Sequence, residues 1–190
     1  FTSFTRSIEK TKYLCENLKK ANPRIKLIVI GAPIGYESRD FLEENEAVDA
    51  VVFGEGEYTF SLLCRALTTG EPKLPSIRGL AYRAAGRIYV NNAMPPVRLE
   101  SLPFMYEKLP ANSGEVINYQ TSRGCPYNVS YSTEGPLTGI RVLSVDRVKE
   151  ELSYLIYKRP DEIVFLDPVF NWDKDRACEI LKYIISIDNG

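Results

Sequence analysis

The stretch "IKLIVIG" at residues 25–31 decides the fold class. It is a short continuous run of mostly β-branched residues closed by a glycine, which is typical of a strand buried on both faces of a parallel sheet. The stretch "DAVVFGEGE" at residues 49–57 repeats this pattern and also ends in glycines. Sequence with helical periodicity precedes, separates and follows the two strands. The order helix, strand, helix, strand, helix predicts part of a doubly wound, Rossmann-like parallel sheet.

A different kind of sequence follows this α/β segment. Residues 73–113 concentrate prolines, and within them "GLAYR" and "RIYVN" flank "AAG", which predicts a β-hairpin with glycine in its turn. A second α/β segment then starts with a strand in "EVINYQTSRG". Ser144 can cap a helix, and "DEIVFLDPVF" reads as a second buried strand. Residues 173–187 predict a final helix whose inward face carries Ala177, Ile180, Leu181, Ile184 and Ile185. The resulting β-α-β-α order is too short to close a barrel.

The composition narrows the range of functions. The chain is 44% hydrophobic and 26% charged, as in ordinary globular proteins, and no run approaches the ~20 apolar residues of a membrane span. Lys and Arg total 24 against 25 Asp and Glu, so no charge pattern favours nucleic acid or an anionic membrane. The first residues show no secretory signal, and the cysteines lack paired spacing. We therefore expect a cytoplasmic protein without disulfides and without nucleic-acid or membrane partners.

The sequence contains no histidine. Histidine is the commonest general base and the commonest neutral metal ligand, so its absence excludes Ser-His and Cys-His catalytic pairs. Acidic pairs such as Glu150-Glu151 are predicted to lie on solvated helix faces. Cys64 and Cys178 fall among apolar helix positions, which predicts that both are core residues.

The stretch "YQTSRGCPYNVSYS" at residues 119–132 resembles the cluster loop of radical S-adenosylmethionine enzymes. In that family a Cys-x3-Cys-x2-Cys motif follows the first barrel strand. The proline-rich stretch and the upstream "VDAVVFGEGEYTF" are similar to the subgroup that joins a cobalamin-binding domain to the barrel. That subgroup contains anaerobic magnesium-protoporphyrin ester cyclases, which are Fe-S oxidoreductases, and various methyltransferases. The resemblance covers nearly the whole chain.

The resemblance implies a division of the chain into three parts. Residues 1–72 would be the C-terminal part of a cobalamin-binding, Rossmann-like domain. Residues 73–113 would be a linker with a β-hairpin, and residues 114–190 would begin a radical S-adenosylmethionine barrel. The expected fold class is therefore α/β, with a partial doubly wound sheet, a hairpin-containing linker and the first βα units of a partial TIM-type barrel.

The three cluster-ligand positions of the family motif fall on Cys125, Val129 and Ser132. Three thiolates are needed because the fourth iron of a 4Fe-4S cluster is left free to bind S-adenosylmethionine. Valine has no donor atom and serine is a poor substitute for a thiolate, so one good ligand of three remains. We therefore expect this chain to bind no cluster and to be inactive as written. Val129 and Ser132 are either engineered replacements or the mark of a degenerate family member.

The resemblance also implies further cofactor-binding positions. Tyr131 would lie near the adenine of S-adenosylmethionine, and Asp167 would end the second barrel strand near the methionine amine. The expected contacts with cobalamin are Ser3, Gly31, Ala32, Gly54 and Gly56. Each residue also has a purely structural interpretation, because a Tyr in a loop, an Asp at a strand end and glycines after strands are commonly turn or capping features.

The leading hypothesis is a fragment of a cobalamin-dependent radical S-adenosylmethionine oxidoreductase or methyltransferase. The intact parent would use a 4Fe-4S cluster, S-adenosylmethionine and cobalamin on a small-molecule substrate, whereas this chain is expected to bind none of these cofactors. The alternative is a non-catalytic α/β module for binding or interaction. Exposed sheet edges in either case predict self-association.

Overall fold

The structure is a computed structural model that describes residues 7–31, 37–108, 116–127 and 139–187. The chain divides into two compact units, Phe1–Pro96 and Val97–Gly190. None of the described helices is both long and apolar enough to cross a lipid bilayer.

The first unit is built on a mixed four-stranded sheet with the strand order β1-β2-β3-β4. β1 and β2 run parallel, whereas β2, β3 and β4 are antiparallel neighbours. The described helices and strands of this unit are α1 (Ile8–Ala21), β1 (Ile28–Ile30), α2 (Ser38–Glu44), β2 (Ala50–Val52), α3 (Glu57–Thr69), β3 (Leu80–Ala84) and β4 (Arg87–Val90), with a 3₁₀ turn at Leu74–Ser76. The predicted alternation of helices with two parallel strands is confirmed.

The β2 strand supplies the centre of this unit, and all its residues are buried. Val51 packs with Phe41 and Leu42 of α2 on one face of the sheet. Val52 packs with Leu63 of α3 on the other face. Successive side chains of a strand point to opposite faces, so a continuous apolar run is what a strand covered on both sides requires.

The predicted hairpin is present, but it extends the sheet. β3 pairs with β2, with Ala81 opposite Val51. Ala85 and Gly86 turn the chain with positive φ angles of 48° and 73° before β4 returns. The sheet is therefore mixed and not wholly parallel, because the apolar start of β3, including the fully buried Leu80, covers the free edge of β2. The division into 1–72, 73–113 and 114–190 remains a prediction.

The second unit contains a parallel pair of strands covered by two helices. β5 and β8 pair in parallel, and the short strands β6 and β7 pair antiparallel. The described helices and strands are β5 (Val116–Tyr119), β6 (Ser122–Arg123), β7 (Arg141–Val142), α4 (Val145–Tyr157), β8 (Glu162–Phe165) and α5 (Lys174–Ile187), with 3₁₀ turns at Leu99–Ser101 and Met105–Glu107. The predicted β-α-β-α order is confirmed, with β6 and β7 added between β5 and α4.

In the second unit, α4 begins where the sequence predicts, and α5 buries a narrower apolar face than the sequence predicts. The Ser144 hydroxyl accepts a 3.4 Å hydrogen bond from the Arg147 N–H, so the predicted cap of α4 is confirmed. On α5, Ile180 is fully buried, but Leu181 and Ile185 are exposed. The predicted inward face of α5 is therefore too wide, because positions 181 and 185 lie a further 100° around the helix from positions 180 and 184.

Cys64 and Cys178 are also exposed, so the prediction that they are core residues is wrong.

Candidate functional site

The candidate site of the second unit lies at the carboxyl ends of β5 and β8. Tyr119 and Phe165 are paired at the ends of the two strands. The Leu166 N–H then donates a 2.8 Å hydrogen bond to the Tyr119 carbonyl, which keeps the chains together one residue further. Ligands of open α/β sheets collect at this edge. The next residues on each strand therefore decide what the edge can hold.

Asp167 is the first charged residue beyond β8, and its carboxylate faces the segment that follows β5. Its Oδ2 accepts a 3.0 Å hydrogen bond from the Thr121 N–H. Its Oδ1 accepts a 2.6 Å hydrogen bond from Thr121 Oγ1 and another from Ser122 Oγ. Both carboxylate oxygens therefore accept hydrogen bonds within the unit and hold the backbone between β5 and β6, and the contact of Asp167 with S-adenosylmethionine remains a prediction.

Arg176, near the start of α5, is a second charged residue at this edge. Its side chain is buried, and its Nη2 donates a 3.0 Å hydrogen bond to the Leu143 carbonyl. Its Nη1 lies 3.4 Å from Thr121 Oγ1, which in turn donates to Asp167. The Thr121 hydroxyl therefore bridges a buried cation and a carboxylate. Arg176 Nε has no hydrogen-bond partner within the part of the chain that the structure describes.

Sequence reasoning missed these partners of Asp167. Thr121 and Ser122 are almost completely buried, although both are polar. The available signals were two hydroxyl residues directly before the Arg-Gly pair and an arginine in the first turn of α5. A strand register was needed to bring these residues together, and a single sequence does not give one.

The loop that carries Cys125 is closed at its base by backbone contacts. Ser122 and Arg123 of β6 pair with the two residues of β7. Directly after β6, Gly124 has a φ of +92°, and a Cβ atom there would collide with the Gly139 carbonyl oxygen. Only glycine therefore fits at position 124. The Cys125 side chain follows at once and is half-exposed.

The donor set of this loop does not fit a 4Fe-4S cluster held by three thiolates. Cys125 is the one cysteine of residues 119–132. Val129, Ser132 and Tyr131 lie outside the described residues. Over 7–31, 37–108, 116–127 and 139–187, no group of three or more Cys, Asp or Glu side chains is arranged to hold a metal ion.

The candidate positions of the first unit lie after the parallel strands β1 and β2. Gly31 follows β1, and Gly54 and Gly56 follow β2, so all three lie at the same edge of the sheet. Gly56 has a φ of +89° at the start of α3, and a Cβ there would lie 3.4 Å from Ile30 Cγ2. A side chain at this position would therefore be strained and would press on the end of β1. Ser3 and Ala32 lie outside the described residues.

A buried polar network in the second unit joins the last residue of β5 to α4. The Tyr119 hydroxyl donates a 2.7 Å hydrogen bond to Glu151, and Arg147 Nε donates another of 2.7 Å to the same carboxylate. Burial, and next the Glu151 carboxylate, raise the pKa of Tyr119. Arg147 also donates to the Leu102 carbonyl at 2.7 Å. Glu151 is thus buried and paired, and the prediction of a solvated face is wrong at this residue because Tyr119 and Arg147 both require its oxygens.

Comparison with known proteins gives a family for the first unit. Residues 1–63 match the B12 binding domain. The matched range includes β1, β2 and the glycines that follow both strands. The first unit is therefore an α/β unit of the B12-binding class.

Relatives extend the comparison to the rest of the chain. An uncharacterized methyltransferase of Pyrococcus horikoshii is 34% identical over 85% of this chain and 37% of its own length. The anaerobic magnesium-protoporphyrin IX monomethyl ester cyclase of Rubrivivax gelatinosus is 26% identical over 82% of this chain and 30% of its own length. The chain thus spans well under half the length of these curated relatives.

A solved structure shows the same fold. The cobalamin-dependent S-adenosylmethionine radical enzyme OxsB, determined with aqua-cobalamin and S-adenosylmethionine bound, superposes with a TM-score of 0.72 at 19% identity. The match covers 97% of this chain and 28% of that chain. The chain is therefore a homologue of cobalamin-dependent radical S-adenosylmethionine methyltransferases and of the magnesium-protoporphyrin ester cyclase, as the sequence resemblance implied.

Proposed function

We propose that this chain is part of a cobalamin-dependent radical S-adenosylmethionine protein that acts on a small organic substrate. A methyltransferase is the favoured activity, because a methyltransferase of Pyrococcus horikoshii is 34% identical over 85% of this chain. An oxidative cyclase is the nearest other activity, since the Rubrivivax gelatinosus cyclase is 26% identical to the chain.

The first unit would supply the cobalamin side of such a protein. The match to the B12 binding domain and the glycines at the carboxyl edge of β1 and β2 support this assignment. Gly31, Gly54 and Gly56 carry no side chains at that edge, so a large planar ligand could approach the backbone at these three positions. The chain has no histidine, so it supplies no imidazole to cobalt.

The second unit would be the first part of a TIM-type barrel. This assignment is supported by the parallel pairing of β5 with β8, and by the positions of α4 between these strands and α5 after β8 in the sequence. In a barrel built of such βα units, functional groups lie at the carboxyl ends of the strands. Cys125 and Asp167 both lie beyond those ends, and Tyr131 comes six residues after Cys125 in the sequence.

The observation that carries the proposal for this chain is its single loop thiolate. When bound, a 4Fe-4S cluster would donate the electron that cleaves S-adenosylmethionine. Cys125 is the one thiol that the loop offers, since the other motif positions hold Val129 and Ser132. We therefore propose that the chain as written holds no cluster and has no radical activity.

Anaerobic reconstitution with iron and sulfide tests this proposal. The chain as written is compared with the double variant Val129→Cys/Ser132→Cys, and with that double variant carrying Cys125→Ser as the matched control. We expect close to four irons per chain in the double variant only, with the electron paramagnetic resonance signal of a reduced cluster. Equal iron loading of the chain as written would contradict the proposal.

The second candidate is a non-catalytic α/β binding module, favoured by the loss of cluster ligands at Val129 and Ser132. Iron uptake by the double variant distinguishes the two, because the first unit could bind cobalamin in either case. A module that retains the ligand of its B12-binding unit would shift the cobalamin absorption spectrum, and its double variant would still take up no iron. Iron uptake by the double variant would instead favour a disabled enzyme.

A further inference from the structure

We propose that Asp167 is a positioning residue that fixes the start of the Cys125 loop. Its carboxylate joins the end of β8 to the backbone that leads into the loop. The inference deepens the proposed function, because it matters for chemistry only if that loop holds a cluster. Its structural content can be tested without any metal.

The first argument is the use of the carboxylate oxygens. Oδ2 accepts from the Thr121 N–H at 3.0 Å, and Oδ1 accepts from the hydroxyls of Thr121 and Ser122. Three donors from two consecutive residues thus fill three of the roughly four acceptor sites of the carboxylate, and all three belong to the backbone segment that leads to Cys125.

The second argument is burial. Thr121 is 0% and Ser122 is 1% exposed, so neither hydroxyl can turn to water. A buried donor that loses its partner costs the full desolvation of the group. The two hydroxyls therefore depend on Asp167, and the carboxylate determines where the Thr121-Ser122 backbone lies.

The third argument is the short distance along the chain from this clamp to the thiol. Cys125 comes three residues after Ser122, and Gly124 between them is held against Gly139. Asp167 fixes one end of this short segment and the Gly139 backbone fixes the other. Asp167, which follows β8, thus sets the direction in which the chain leaves β6 toward Cys125.

Arg176 adds to the same clamp. Its Nη1 lies 3.4 Å from Thr121 Oγ1, and this hydroxyl donates its proton to Asp167 at 2.6 Å. Because the Thr121 oxygen accepts the hydrogen bond from Arg176, its own O–H group remains available to donate a hydrogen bond to Asp167. Arg176 therefore favours the orientation of the Thr121 hydroxyl that the clamp needs.

Amide hydrogen exchange of the metal-free full chain tests the inference. Asp167→Asn keeps the shape of the side chain but replaces one acceptor oxygen with a donor, so at least one of the three donors loses its partner. We expect exchange at residues 121–125 to accelerate by about tenfold or more, because hydrogen bonds to a charged group are strong and local opening sets the exchange rate. The matched control is Asp161→Asn, which removes an exposed carboxylate just before the start of β8.

If Asp167 only contributed to the overall stability of the second unit, its replacement would give a different pattern of exchange. General destabilisation would accelerate exchange evenly through α4 and β8, whereas loss of positioning is confined to the segment after β5. Even acceleration, or no difference between Asp167→Asn and Asp161→Asn, would overturn the inference.

A milder variant covers the case in which Asp167→Asn fails to fold. Ser122→Ala removes one donor and keeps the Thr121 bonds, and we expect roughly threefold faster exchange at Arg123 and Gly124 with little change at Thr121. Unchanged exchange at Arg123 and Gly124 in this variant would overturn the inference. Because no iron is present, failure of the cluster proposal leaves these outcomes unaffected, and the two ideas fail separately.

Discussion

Gly124→Ala is expected to destabilise the second unit more than any other single methyl group added at the base of the loop. Gly124 has a φ of +92°, a backbone conformation that L side chains rarely adopt. Its missing Cβ would meet the carbonyl oxygen of Gly139, a backbone atom that cannot rotate away. The added methyl group therefore forces β6 and the returning chain apart.

The magnitude can be worked out by comparison with Gly139→Ala. Gly139 has a φ of +75°, but a Cβ there would meet no atom within 4 Å. Gly139→Ala should therefore cost only the conformational term, about 1 kcal/mol. Gly124→Ala carries a similar conformational term plus the collision, and we expect a loss of about 3 kcal/mol in the free energy of unfolding.

Urea unfolding followed by tryptophan fluorescence gives the measurement. Trp172 is the single tryptophan and lies in the second unit, so its emission reports that unit. The expected result is a midpoint for Gly124→Ala clearly below that of Gly139→Ala. Equal midpoints would refute the collision argument and would mean that the two glycines do not meet at the base of the loop.

Two other predictions concern ionised groups. Burial of Asp49 opposes its ionisation, but hydrogen bonds from Lys19 at 2.6 Å, from the Leu27 N–H at 2.9 Å and from Lys26 outweigh it and lower the pKa of Asp49. This stabilisation is present above the ordinary carboxyl pKa of about 3.9 and is lost as the pH falls through the lower pKa of the folded state. Asp49→Asn should therefore lower the stability of the first unit by about 1–2 kcal/mol at pH 7, and by progressively less below about pH 4. Amide hydrogen exchange in β1 and β2 measures this loss. A loss that does not change with pH would contradict the prediction. Glu151→Gln weakens the hydrogen bonds from Arg147 and Tyr119, and should lower the free energy of unfolding of the second unit by about 2 kcal/mol. Urea unfolding followed by Trp172 fluorescence measures this loss. A loss under about 0.5 kcal/mol would show that the network is not stabilising.

Local patterns predicted the elements of the fold better than their partners. The apolar runs around Val29 and Val51 gave buried parallel strands, and Ser144 gave the start of α4, because each signal lies within a few residues. The hairpin was predicted as well, but its pairing with β2 was not, since that contact joins residues such as Val51 and Ala81 that are far apart in sequence. Long-range register is the part that a single sequence leaves open.

The candidate site followed the same division. The resemblance to radical S-adenosylmethionine enzymes pointed to Asp167, and only the buried strand before it was predicted from a local pattern. Its partners Thr121 and Ser122 were missed because the parallel register of β5 and β8 brings them to the carboxylate. Glu151 was missed for a similar reason, since its burial depends on Tyr119 of β5.

Iron uptake by the ligand-restored loop is the most direct test of the proposed function. The measurement is iron content and electron paramagnetic resonance after anaerobic reconstitution of the chain as written and of Val129→Cys/Ser132→Cys. We predict close to four irons per chain in the double variant and none bound specifically in the chain as written. A cluster of the same content and spectrum in both would contradict the account, because Cys125 alone would then suffice to hold it.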